Sequence, residues 1–230
     1  MILTLMSLLM VDAEPVEARL SLARAERPST SSWPTGGEPQ TALDAERAFV
    51  AMVEEKGQWT AFRATAHPEA WMFVPEAVKA RTWLNGRSDP AQSVRRWPTA
   101  AWVSCDGRHA VTTGGTLWPD GSHGFFTTVW RRERDGGWRW LVDHGGPVSV
   151  QRPVSEAPVV TRASCEPGQK PILVSRYAWK PGVRAKITQP GDKTVAWSWA
   201  VRRDGSREIN ISLWTGSAYE AVLTDDVPAP

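Results

Sequence analysis

Cysteine, tyrosine and histidine are scarce in this chain: 230 residues hold two, two and four of them. Cys105 and Cys165 can form one intramolecular disulfide or remain two buried thiols, and neither has a second cysteine at metal-ligand spacing. No His-x-x-x-His or His-Glu-x-x-His pattern occurs, so no metal centre is expected. Ser104 and Ser122 lack the Gly-x-Ser-x-Gly context of a hydrolase elbow. Gly114-Gly115 fails the dinucleotide fingerprint and reads instead as a bulge or sharp sheet bend, and no cofactor is expected. Charge of one sign is also lacking. A formal net charge of +2 excludes a general nucleic-acid binder or a polybasic membrane binder. No apolar run is long enough to span a bilayer as a helix.

What is present is enough apolar matter for a core. Hydrophobic residues make up 41% of the chain and charged residues 23%, a globular balance. Fourteen tryptophans are unusual. Each brings a large apolar surface and one N–H that needs a partner, and core packing is the plainest reading of them. Met1 to Val11 is nearly all apolar, and Val11-Asp12-Ala13 follows with small residues at both outer positions. This resembles a secretory signal, here residues 1–13, which would place the protein in the periplasm or outside the cell. No Lys or Arg precedes the run, so a misassigned start or an ordinary amphipathic start remains open, and with it a cytoplasmic location. Residues 14–40, rich in Pro, Gly and Ser, read as a flexible linker.

From Thr41 the pattern becomes regular. Thr41 and Asp44 form a loose capping box, and Ala45, Ala48, Phe49 and Met52 share one helical face until Gly57. A second helix is predicted over 58–66, with Trp59 and Phe62 on one face. A strand is predicted over 70–74 and a third helix over 77–84. Asp106-Gly107, Asp120-Gly121 and Asp135-Gly136 then mark hairpin turns between strands 101–104, 109–118, 125–133 and 138–144. In the last of these, alternation places Trp138, Trp140, Val142 and His144 on one face. Arg95-Arg96-Trp97 and Arg131-Arg132 read as solvated edges. Beyond the connector 151–158, strands are predicted over 171–179, 194–203, 208–214 and 219–224, and residues 227–230 as a frayed tail. This is an α+β protein, with helices packed on an antiparallel sheet and additional C-terminal strands.

Ala45-Glu-Arg-Ala-Phe49, Trp59-Thr-Ala-Phe62, Ala70-Trp-Met-Phe-Val-Pro75 and Trp83-Leu84 resemble the helical half of a nuclear-transport-factor-2-like domain of the ketosteroid-isomerase-like or SnoaL-like kind. Phe126-Thr-Thr-Val-Trp-Arg-Arg132 and Gly137-Trp-Arg-Trp-Leu-Val-Asp143 resemble its last two strands. The resemblance implies a curved sheet wrapped by helices into a cone over residues 41–148, with an apolar pocket. Residues 149–230 are then a β-rich extension or small subdomain. Members of the family include isomerases, cyclases and dehydratases, and no local motif here carries a member's catalytic residue over. Tyr177 and Tyr219 both lie outside the cone, which puts a tyrosine oxyanion donor in doubt.

Three functional readings follow: a protein holding a small, largely apolar ligand, a cofactor-independent isomerase or dehydratase, and an interaction protein that dimerises through its C-terminal strands. For an enzyme, the general base would be Asp143 or His144. They are adjacent on a strand and point to opposite faces, so only one can face a pocket; otherwise the pair is solvated at the rim. The pocket wall is expected from Trp59, Phe62, Trp71, Phe73, Trp130, Trp138 and Trp140, although the last three could simply fill the cone. His67, with Arg63 one turn earlier, could meet an anion or else cap the helix end.

Overall fold

The computed structural model describes residues 41–174 and 180–230. The signal and linker segments expected over 1–40, and the part of the expected strand 171–179 from residue 175 onward, lie outside the described residues. Among the described residues no helix is long and apolar enough to cross a membrane.

Helix α1 (Ala42–Lys56) starts at the expected box: the Thr41 hydroxyl accepts from Asp44 N, and Asp44 Oδ2 accepts from Thr41 N, both at 3.1 Å. Asp44 thus performs the role usually given to Glu or Gln. Its buried face is Ala42, Ala45, Glu46, Phe49, Met52 and Val53, one helical stripe with a carboxylate at its centre. Gly57, at φ +97°, ends α1 and begins α2 (Gln58–Thr65). A Cβ there would lie 2.4 Å from the Asp89 carboxyl carbon. That close approach lets Asp89 cap α2 from 29 residues away, accepting from Thr60 N at 2.9 Å and from its hydroxyl at 2.6 Å.

Strand β1 (Ala66–Phe73) follows directly, then the short β2 (Ala77–Lys79) and helix α3 (Ala80–Leu84). The helix expected over 77–84 therefore loses its first three residues to pairing with β1, with Trp71 opposite Lys79: a sheet partner outweighs weak local helix propensity. The hairpin strands are β3 (Arg95–Val103), β4 (His109–Leu117), β5 (His123–Arg132) and β6 (Trp138–Pro147). The aspartates of the three Asp-Gly turns accept hydrogen bonds from groups two residues away. β7 (Val159–Arg162), inside a stretch not expected to be a strand, pairs parallel to β3.

The seven-stranded sheet runs β2-β1-β6-β5-β4-β3-β7. It is mixed, where an antiparallel sheet was expected: β1 pairs with β6, and β3 with β7, in parallel. Both pairs are joined through long intervening chain, which parallel neighbours require. Bulges bend it. One lies at Thr99 of β3, opposite Gly114 of β4, where a Cβ would sit 1.8 Å from the Trp97 carbonyl. This is the bend that the Gly114-Gly115 pair suggested.

The chain then forms a four-stranded antiparallel meander, β8 (Val183–Thr188), β9 (Val195–Arg202), β10 (Arg207–Trp214) and β11 (Tyr219–Val227). β8 lies where no strand was expected, and residues 171–174 are not in one. Val227, expected in a frayed tail, ends β11 buried and occupies the space over Gly146 that a Cβ would take.

Three layers result, with a core on each side of the large sheet. Helices α1–α3 bury Phe49, Met52, Phe62 and Leu84 with Trp130, Trp138 and Trp140 on one side. The meander buries Trp197, Trp199, Ile209, Ile211 and Leu213 against Val111, Val129 and Val142 on the other. Each large side chain so buried contributes about 1.5–3 kcal/mol. Cys105, in the β3–β4 turn, is disulfide-bonded to Cys165, in the segment entering the meander.

Candidate functional site

β6 decides which side chains meet the helices. Opposite β5, Val129 pairs with Val142 but Trp130 pairs with Trp140, so Leu141 is an extra residue. This bulge reverses the alternation. Trp138 and Trp140 enter the helix-side core, whereas Val142 enters the core beneath the meander. The expected single face of Trp138, Trp140, Val142 and His144 is thus two faces, because a bulge shifts the two-residue period by one. Asp143 comes to the helix side.

Register then sets a polar row across that side. Thr112, Thr128 and Asp143 lie directly opposite one another on β4, β5 and β6. The Arg96 guanidinium, from β3, reaches over this row. Its Nη1 is 3.2 Å from Asp143 Oδ2, its Nη2 donates to Thr128 Oγ1 at 2.7 Å, and Nη2 lies 2.8 Å from Glu46 Oε1. Thr128 Oγ1 in turn donates to Asp143 Oδ2 at 2.7 Å. Trp130 Nε1 donates to Thr112 Oγ1 at 2.9 Å, and Thr112 Oγ1 donates to Glu46 Oε2 at 2.7 Å. Arg96 lies over the Phe126 ring, 3.7 Å from its centroid, with Phe49 4.9 Å away. The Arg96 side chain is 7% exposed and Glu46 is fully buried. The solvated edge expected at Arg95-Arg96-Trp97 is therefore corrected at Arg96: two carboxylates and an aromatic seat hold the guanidinium inside.

Burial pushes the Glu46 carboxyl above its ordinary range, opposed by Arg96 and the Thr112 hydrogen bond. Asp143 differs in being partly exposed, and its Oδ1 makes no hydrogen bond among the described residues. It faces a hollow of about 240 Å³ between helices and sheet. Phe49, Trp59, Phe62, Met72, Phe125 and Phe126 are among its walls, with Gln58, Arg96, Thr116, Asp143 and Arg207 as polar members. A second cleft, about 350 Å³, adjoins it at Val53, Val94 and Arg96.

Of the residues expected to form the pocket, Trp59, Phe62 and Phe73 line the hollow. Trp130, Trp138 and Trp140 are buried in the core beside it and fill the fold. Trp71 lies on the other side, packed on Trp199 at 5.5 Å, because alternation along β1 separates it from Met72; Phe73 shares that contact at 5.5 Å while also bordering the hollow at the strand's end. His67 is remote: its Nδ1 accepts from Glu69 N at 3.0 Å and its Nε2 lies 3.8 Å from Glu133.

His144 is fully buried but does not line the hollow. Its ring sits on the meander side, 5.1 Å from Phe73 and 5.6 Å from Phe125, and neither ring nitrogen has a hydrogen-bond partner among the described residues. Burial, and then the nearby Arg207 charge, lower its pKa to about 3. A pair solvated at the rim is excluded by these positions.

Sequence reading missed Glu46 and Arg96. Glu46 was detectable as a charge at the centre of the α1 apolar stripe. Arg96 carried no such signal, since only the strand register brings it over Asp143. Among the described residues no three His, Cys, Asp or Glu side chains gather as a metal site requires.

Helices laid across one face of a bulged sheet, enclosing an apolar hollow with a polar floor, form a cone-type α+β domain. Solved structures similar to this chain include ketosteroid-isomerase-like proteins, the group its motifs resemble. A candidate ketosteroid isomerase from Parabacteroides distasonis is 17% identical, with a TM-score of 0.41, over 51% of this chain and 96% of that one. ActVI-ORFA from Streptomyces coelicolor is 17% identical, with a TM-score of 0.35, over 47% and 96%. The CaMKII hub of S. rosetta is 19% identical, with a TM-score of 0.37, over 50% and 100%. No protein-family model and no curated protein matches the chain.

Proposed function

We propose that this protein binds a small, largely apolar molecule in the hollow between its helices and its seven-stranded sheet. The observation that carries this reading is the wall itself: aromatic side chains around about 240 Å³, with a few polar groups at fixed places. Such lining suits burial of an apolar body with one or two directed contacts.

Binding is preferred to catalysis because the two candidate bases each lack one requirement. Asp143 faces the hollow, but Arg96 and Thr128 hold its Oδ2 in place. His144 is desolvated and unpaired, but lies behind the sheet. The second reading, an isomerase or dehydratase with Asp143 as base, is favoured only by the unengaged Oδ1. A dimer remains the third reading, favoured by the exposed valines 159 and 160 on edge strand β7. We infer export from the N-terminal apolar run, together with the disulfide; an intact Met1 on protein from the native host would count against it.

The test uses the neutral fluorescent probe N-phenyl-1-naphthylamine. The parent is expected to bind it. Val74→Trp, which fills part of the hollow wall, should weaken binding about tenfold or more, with the circular dichroism spectrum kept. Equal binding by both proteins would place the probe elsewhere and defeat the reading. Proton exchange on a bound ketone, lost in Asp143→Asn, would turn the conclusion to the enzyme.

A further inference from the structure

The hollow contains one cation that the ion cluster does not use. Arg207 opens β10, in the C-terminal meander, yet its side chain reaches the wall of the hollow between the helices and the seven-stranded sheet. Its Nη2 donates to the Gly145 carbonyl at 2.8 Å. Its Nε is buried without a hydrogen-bond partner among the described residues. Among the described residues no carboxylate pairs with it, in contrast to Arg96, which holds two. A half-buried guanidinium normally finds a carboxylate or phosphate, because its fork matches those groups and its charge is costly to desolvate alone. Thr116, another wall residue, also carries a buried hydroxyl with no partner.

We propose that Arg207 is the receptor for an anionic group on the ligand, its guanidinium donating to a carboxylate. The ligand class is then an apolar carboxylic acid, its hydrocarbon or ring body against Phe49, Phe62 and Phe126. This inference rests on the reading of the hollow as a binding site, and sharpens it. The ion cluster does not oppose it strongly: Arg96 offsets Asp143, and burial favours the neutral form of Glu46. Burial alone lowers the pKa of Arg207, as expected of a cation lacking its counter-ion. The C-terminal meander thereby becomes part of the site as well as its support.

Calorimetric titration of the full chain with two matched pairs tests this: 2-naphthoate with 2-naphthalenemethanol, and decanoate with decanol. The parent should bind at least one acid about tenfold or more tighter than its alcohol, as a charge-assisted hydrogen bond implies. Arg207→Gln should erase that preference, with an unchanged circular dichroism spectrum as the check of folding. Equal binding of acid and alcohol by the parent overturns the role of Arg207 while leaving the hollow a binding site. Failure of the parent to bind any of the four removes the binding reading and this inference together. Should Arg207→Gln bind nothing, Arg207→Lys decides. A reduced acid preference supports the guanidinium contact, and an unchanged preference overturns it.

Discussion

The two faces of the seven-stranded sheet are covered by different materials, and that difference separates a site from a seal. On the helix side, short helices lie over the sheet and leave an opening, with Glu46, Arg96 and Asp143 bound together at its floor. On the meander side, a second sheet is stacked on the first with Trp197, Trp199, Ile209 and Ile211 between them. Two stacked sheets interdigitate along their whole faces, whereas three short helices of unequal length cannot tile a bulged sheet. Glu46 and Asp143 on the helix side have cationic and hydroxyl partners, as does Asp225 of the meander with Arg152 and Thr127; His144, between the two sheets, has none among the described residues.

The largest effect that would break this comparison lies at Arg96. Arg96→Leu should destabilise the chain by about 1.5–3 kcal/mol, because Glu46 and Asp143 lose their charge-assisted contacts to the guanidinium. Urea denaturation measures this. Replacing Glu46, Arg96 and Asp143 together by apolar residues should cost far less than Arg96→Leu alone. A small loss in the single variant would mean that the cluster is solvated, and that the helix side is as open as a surface.

The tether on the other side comes next. Cys105 and Cys165 are separated by 60 residues, a loop whose closure confines the unfolded chain by about 4 kcal/mol. Cys105→Ser with Cys165→Ser should lower the urea midpoint accordingly. Free-thiol titration of the unfolded, unreduced parent should find none, and two reactive thiols would remove the tether from the comparison.

The finest distinction is in the pH response, where the two faces should act with opposite signs. His144 titrates near 3 when folded against an ordinary 6.5. Between those values the unfolded chain holds the extra proton, so this group makes stability fall as pH drops through the window. The slope is at most about 1.4 kcal/mol per pH unit. Glu46 is raised above its ordinary 4.5. Its contribution is fully present below 4.5 and is lost as pH rises through its folded pKa. His144→Phe should flatten the first slope and, by removing two unpartnered ring nitrogens, leave stability at pH 7 nearly unchanged or improved. Glu46→Gln should flatten the second. If His144→Phe left the acid slope intact, the sealed layer would have to admit water.

Much of this was legible in the chain. Thr41 with Asp44, the 3.6-residue stripe through Phe49, and the three Asp-Gly turns each fix local structure by short-range chemistry. These put the helices first and the hairpins after, and offered Trp59, Phe62 and Phe73 among the candidates for a pocket wall, with Asp143 or His144 as the candidate base. Trp71 and His144 show where such reading stops. Period-two alternation is a local rule, and it assigned His144 to the face of Trp140. One inserted residue, Leu141, reversed the face, and a bulge is chosen by the strand alongside rather than by its own sequence.

What the sequence determined by itself, then, is the run of helices and hairpin strands from Thr41 to Pro147, apart from β2, because caps, turns and periodicity act over a few residues. What only the tertiary structure decided is which distant charges meet. Arg96 reaches Glu46 and Asp143, and Arg207 arrives from the far end of the chain, because strand register and the stacking of two sheets set those distances. No spacing along the chain encodes them.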